Sequence, residues 1–267
     1  MRYKLILIAF ITMYLIFCVS PQKKIEEARN KDPRHQYALG LVHLNRGDID
    51  EAIRYLNMSL SLSPNYYLAL NALGLAYFMK GNPQESTKYL QKSLAINPTF
   101  SEARNNLGMV YQEMGFIDKA EREFIIATAD KNYNSRENPY YNLAKLYLDK
   151  EKLDEALEYV QKALELNKKM AMAHNLKGTI HEKLKNFDEA IESYTEALKI
   201  FPQDINLNFN LAVAYFKNNE FKKAKEIFEN ILSKATDPEM RENINLYLKI
   251  INKGSSPKKL QNNIRDI

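Results

Sequence analysis

The sequence predicts an all-α protein built from repeated helical hairpins. Three observations carry this reading. Small residues recur at Gly40, Gly74, Gly108, Ala144, Gly178 and Ala212, with spacings of 34, 34, 36, 34 and 34 residues. Twelve positions after each stands a second small residue: Ala52, Ser86, Ala120, Ala156, Ala190 and Ala224. Large residues follow at three positions (His43, Tyr77, Tyr111, Tyr147, His181, Tyr215) and at sixteen (Leu56, Leu90, Phe124, Val160, Tyr194, Phe228). Small groups are needed where two helices of a hairpin cross closely, and the large groups fill the space between neighbouring hairpins.

A period of this length marks a stacked array. Each hairpin carries two helices of about ten to fourteen residues, marginal in isolation, so stacking must supply the stability. Residues 67–100, YLALNALGLAYFMKGNPQESTKYLQKSLAINPTF, show the unit. Leu73, Gly74 and Tyr77 mark its first helix, and Leu90 and Leu94 its second. Pro98 cannot continue that helix.

This order of Leu-Gly, Tyr, Ala, aromatic, Ala and Pro resembles the tetratricopeptide repeat. The resemblance covers six repeats, at 33–66, 67–100, 101–134, 137–170, 171–204 and 205–238. Lys177, where the family usually has Leu, and Lys168, where it usually has Pro, depart from the pattern. The resemblance implies a right-handed superhelical solenoid of six hairpins. After Pro238 an apolar stripe of Ile244, Tyr247, Leu248 and Ile251 predicts a capping helix over 239–253, about thirteen helices in all. Residues 254–267 are expected to be a flexible tail.

The N-terminus is different in kind. Arg2 and Lys4 precede an uncharged run of 15 residues from Leu5 to Val19. That run is short for a spanning helix and fits a signal segment. Residues 1–20 are read as a signal peptide or membrane anchor, and the polar residues 21–32 as a spacer. The single cysteine, Cys18, closes the run, which resembles a bacterial lipoprotein signal with Cys18 as the lipidation site. Phe17 departs from the small residue expected there. Two arrangements follow: an outer-membrane lipoprotein facing the periplasm, or an inner-membrane signal anchor. Both tether the repeats to a membrane of the bacterial cell envelope through the N-terminus.

Chemistry is absent from the motifs. No GxSxG, HExxH or P-loop pattern occurs, and one cysteine excludes an internal disulfide and a cysteine metal site. His174 and His181 lie about 10.5 Å apart along one helix, too far to share a metal ion. A net charge of +5 with no basic block excludes a nucleic-acid stripe. The acidic pairs Asp50-Glu51, Asp154-Glu155 and Asp188-Glu189 suit the N-termini of the second helices. No enzyme, cofactor, metal or small-molecule substrate is expected.

The family lines its inner groove from repeat positions 2, 5, 9 and 12. In the first three repeats, positions 5, 9 and 12 are Tyr37, Leu41 and Leu44; Asn71, Leu75 and Phe78; and Asn105, Met109 and Gln112. The asparagines are expected to hold the backbone of an extended peptide and the apolar groups to take its side chains. At positions 5 and 9 the one basic residue is Lys145, which argues against a clamp for C-terminal carboxylates. The longer join after the third repeat carries Ala127, Tyr133, Arg136 and Asn142-Leu143. Together with the signal, six repeats and cap, it resembles the type IV pilus biogenesis and stability lipoproteins, the PilF/PilW-type pilotins. That resemblance implies a non-catalytic, membrane-tethered adaptor in pilus and secretin assembly, with a secretin subunit as protein partner. The alternative is a general cell-envelope adaptor in envelope assembly or secretion.

Overall fold

The computed structural model describes residues 21–253, which form fourteen α-helices and no strand. Helix α1 (Pro21–Asn30) precedes six hairpins, each with an A and a B helix: α2/α3 (Pro33–Arg46, Ile49–Leu62), α4/α5 (Tyr67–Met79, Pro83–Ile96), α6/α7 (Ser101–Glu113, Ile117–Ala129), α8/α9 (Glu137–Asp149, Leu153–Leu166), α10/α11 (Ala171–Lys183, Phe187–Ile200) and α12/α13 (Ile205–Lys217, Phe221–Leu232). Helix α14 (Pro238–Asn252) follows the last. The sequence reading of 1–20 and 254–267, including Cys18, falls outside the described residues. The expected spacer at 21–32 differs: most of it is helix α1, joined to α2 where the Gln36 side-chain amide donates to the Asn30 carbonyl at 3.1 Å.

The chain divides into two compact units, residues 1–123 and 124–267, the division falling inside α7. The first packs Leu44, Ala52, Leu56, Ala69, Ala72, Leu73 and Ala76 into one core. A cluster around Ala156, Val160, Ala163, Ala173 and Ile180 forms part of the second unit's core, and another surrounds Ala212, Phe216, Phe228 and Ile244.

Every hairpin turns in the same way. The residue seven after the anchor adopts a left-handed backbone: Gly47 (φ 80°), Gly81 (76°), Gly115 (77°), Glu151 (57°), Lys185 (64°) and Asn219 (63°). The next amide then bonds back to the carbonyl three after the anchor, as in Asn82 to Tyr77 at 2.9 Å and Asn186 to His181 at 2.9 Å. This satisfies carbonyls that the helix end would otherwise leave orphaned.

The anchors sit where the sequence places them. A Cβ built on Gly74 would lie 2.6 Å from Leu90 Cγ, and one on Gly40 2.7 Å from Leu56 Cγ. A Cβ on Gly178 would lie 2.6 Å from the Tyr194 ring. Ser59 and Ser93, both buried, fasten B to A by donating to the Pro33 carbonyl at 2.7 Å and the Tyr67 carbonyl at 2.8 Å. In α14, Asp237 accepts the Met240 amide at 2.9 Å and Pro238 occupies the first turn. Tyr247 stacks on Phe228 (centroids 5.0 Å, 12°) and meets Phe209 and Phe216 edge-on, while Ile244 and Ile250 are buried.

Candidate functional site

In the first unit α4 lies against both α2 and α6, so three A helices present one face. The nine residues expected there separate into two groups. Tyr37, Leu41, Leu75, Phe78, Met109 and Gln112 are partly buried, Tyr37 and Leu41 packing against the core of the first unit. Leu44, Asn71 and Asn105 are not open: they are 6%, 3% and 5% exposed. Leu44 belongs to the core with Leu56 and Leu73.

Asn71 is committed inside the stack. Its side-chain amide donates to the Glu102 carboxylate at 2.9 Å, and its oxygen accepts the Asn106 amide at 3.0 Å. It therefore ties α4 to α6 instead of facing a ligand as an open clamp. Asn105 lies with its amide 3.8 Å from the Met109 sulfur. Of the nine, Phe78 lines a cleft of about 530 Å³ with Gly81, Pro83, Gln84, Glu113 and Met114.

Two acids on this face escaped the sequence reading. Glu102 stands at repeat position 2 of the third hairpin, one of the positions that the resemblance assigns to the groove, and shares α6 with Asn105, Met109 and Gln112. Its carboxylate acts on the same surface: burial, and then the Glu102 charge, push the Tyr37 hydroxyl up to about 12. Glu113 joins Phe78 in the cleft.

The second unit uses its equivalent positions differently. Glu182 accepts the Tyr194 hydroxyl at 3.1 Å and pairs with Lys217 from the next A helix. Val213 and Phe216 are buried, and Tyr247 of α14 packs on Phe209 and Phe216. Asn210 donates to Asn175 at 2.9 Å, repeating the Asn106–Asn71 link. Ring–ring packing and the ion pair occupy these positions, while Met172, at position 2 of the fifth repeat, is 59% exposed. Among the described residues no group of His, Cys, Asp or Glu is placed to hold a metal ion, and no helix is long and apolar enough to cross a membrane.

Family models match along the chain. Tetratricopeptide-repeat models match residues 32–99 and 89–122, and a model of the C-terminal ARM domain of tetratricopeptide repeat protein 21 matches residues 124–245. The hairpins are tetratricopeptide repeats. Among solved structures the chain is similar to PilF of Pseudomonas aeruginosa, at 20% identity and a TM-score of 0.72, covering 82% of this chain and 99% of that one. It is also similar to PilW, described as a widely conserved type IV pilus biogenesis factor, at 14% identity and a TM-score of 0.73, covering 79% and 97%. A third tetratricopeptide-repeat structure, YrrB, described as having an unusual peptide-binding site, matches at 18% identity and a TM-score of 0.55, covering 71% and 97%. No curated protein sequence matches the chain. The tetratricopeptide fold is a protein-interaction scaffold, and this chain has that fold in a form resembling pilus biogenesis factors.

Proposed function

We propose that this chain is a non-catalytic, membrane-tethered adaptor of the bacterial cell envelope. It holds an extended segment of a client protein on the A-helix face of the first unit and serves the assembly of the secretin through which a type IV pilus passes. The observation that carries the binding role is the partly exposed apolar group of Leu41, Leu75, Phe78 and Met109, with the cleft that Phe78 lines. Surfaces of this kind on soluble domains mark interaction sites. The pilus role is supported by the likeness to PilF and PilW, each matched over nearly its whole length. The tether is the N-terminal segment, through lipid on Cys18 or as an uncleaved signal anchor.

Capture of the full-length chain from detergent-solubilised membranes, followed by mass spectrometry, tests the assignment. A secretin subunit recovered with the wild-type chain and lost with Phe78→Ala is the expected outcome. Recovery of subunits of another envelope machine, with no secretin, overturns the pilus role and moves the reading to a general envelope adaptor. Labelled fatty acid tests the tether: incorporation that disappears in Cys18→Ser supports the lipoprotein form, and a Cys18→Ser chain that stays membrane-bound without label points to the signal anchor.

A further inference from the structure

The charges around this face are unequal in how they are used. Its neighbouring cations are already paired: Arg34 lies 3.3 Å from Asp32, Lys80 2.7 Å from Asp50, and Arg104 2.9 Å from Glu123. Glu102 and Glu113 have no cation partner among the described residues. One oxygen of Glu102 is steadied by the Asn71 amide, itself held by Asn106, so this carboxylate is fixed in place while the side chain stays exposed. Glu113 stands at the other end of α6, beside the Phe78 cleft. The face is thus an apolar patch bracketed by two unneutralised acids.

We propose that the first unit selects an extended apolar segment that carries basic residues, received by Glu102 and Glu113 while Leu75, Phe78 and Met109 take its apolar side chains. This rests on the reading of that face as the client site. The two acids are separated along α6 by about 16 Å at the helical rise, the span of about five extended residues. Side chains alternate in an extended chain, so two cations six residues apart, about 20 Å along the backbone, share one face, and the flexible lysine side chains take up the difference. Complementary charge of this kind sets partner choice and encounter rate more than total affinity.

The test uses the full-length chain and three fluorescent heptapeptides with lysine, glutamine or glutamate at both ends and five alternating leucine and valine residues between them, so that both end side chains share one face. Binding is followed by anisotropy at low and high salt. The lysine peptide is expected to bind about threefold to tenfold more tightly than the glutamine peptide at low salt, the size of one or two exposed ion pairs. The double variant Glu102→Gln/Glu113→Gln is expected to abolish that preference, so that it binds the lysine and glutamine peptides alike, while glutamine at 102 can still accept the Asn71 amide and preserve the link. High salt should shrink the preference in the wild type. Equal binding of lysine and glutamine peptides, with Phe78→Ala weakening both, overturns the charge selection and leaves the apolar site standing. Binding of either peptide that is indifferent to Phe78→Ala, or no binding of any of the three, overturns the site itself and this inference with it.

Discussion

Asn106 donates its side-chain amide to the Asn71 oxygen at 3.0 Å, and Asn210 does the same to Asn175 at 2.9 Å. The pair joins position 5 of one repeat to position 6 of the next in both units. In the first unit the link also fixes the Glu102 carboxylate through the second half of the Asn71 amide. Asn106→Ala is expected to lower stability by about 1–3 kcal/mol, because it leaves the buried Asn71 oxygen without its donor. Urea unfolding of the variant against wild type measures it, and an unchanged midpoint would show that the link carries no stability.

Gly74→Leu tests the close approach within a hairpin. Even a Cβ at Gly74 meets Leu90 Cγ at 2.6 Å and the Ser86 carbonyl at 3.3 Å, and the latter is backbone that cannot step aside cheaply. A loss of about 1–3 kcal/mol or more is expected from the forced shift. Far-ultraviolet circular dichroism during thermal unfolding reads it as a lower Tm.

The hairpin turns supply a change in the opposite direction. Lys185 holds φ 64°, a conformation that glycine adopts freely and other residues adopt at a cost. Gly47, Gly81 and Gly115 occupy the same place in the first three hairpins. Lys185→Gly is expected to stabilise the chain by about 0.5–1 kcal/mol, and Gly81→Val to destabilise it by about 1–2 kcal/mol. Opposite signs in one set of denaturation curves are the check.

Much of this architecture is legible in the sequence, because one geometric requirement is written six times. The pairs Gly40–Leu56, Gly74–Leu90 and Gly178–Tyr194 all recur at an offset of sixteen and all meet in space. The turn position was harder to see, since Glu151, Lys185 and Asn219 hide a requirement that the first three glycines announce. The site was legible in part. Leu75, Phe78 and Met109 stay partly exposed, but Asn71 turns inward to Glu102 and Asn106. Those partners lie about one repeat away, and which side chain meets them depends on the register of stacking that no single repeat encodes. Helix α1 carries no copy of the repeat, so its polar sequence read as a spacer.

Acid should weaken the fold through His181. Its Nδ1 is buried without a partner, and burial first, then the Lys177 charge, lower its affinity for protons, while Glu189 and Glu192 oppose them. A histidine held neutral contributes stability that is fully present above its ordinary value of 6.5 and is lost as pH falls through its lower folded value. His181→Phe is expected to flatten the decline in unfolding midpoint as the pH falls below 6.5. A variant that declines as steeply as wild type would place the acid sensitivity elsewhere.

The central claim is that a client lies on the A-helix face of the first unit, against Phe78. Truncating a central aromatic of an interface commonly costs about 2 kcal/mol or more, roughly thirtyfold in affinity, but position is shown more directly by contact. The decisive measurement is photo-cross-linking in cells with a benzophenone side chain in place of Phe78, and in a parallel strain in place of the exposed Lys183. The account predicts a cross-link from position 78 to the partner recovered from membranes, and none from position 183. The same partner cross-linked from 183 and not from 78 would contradict it.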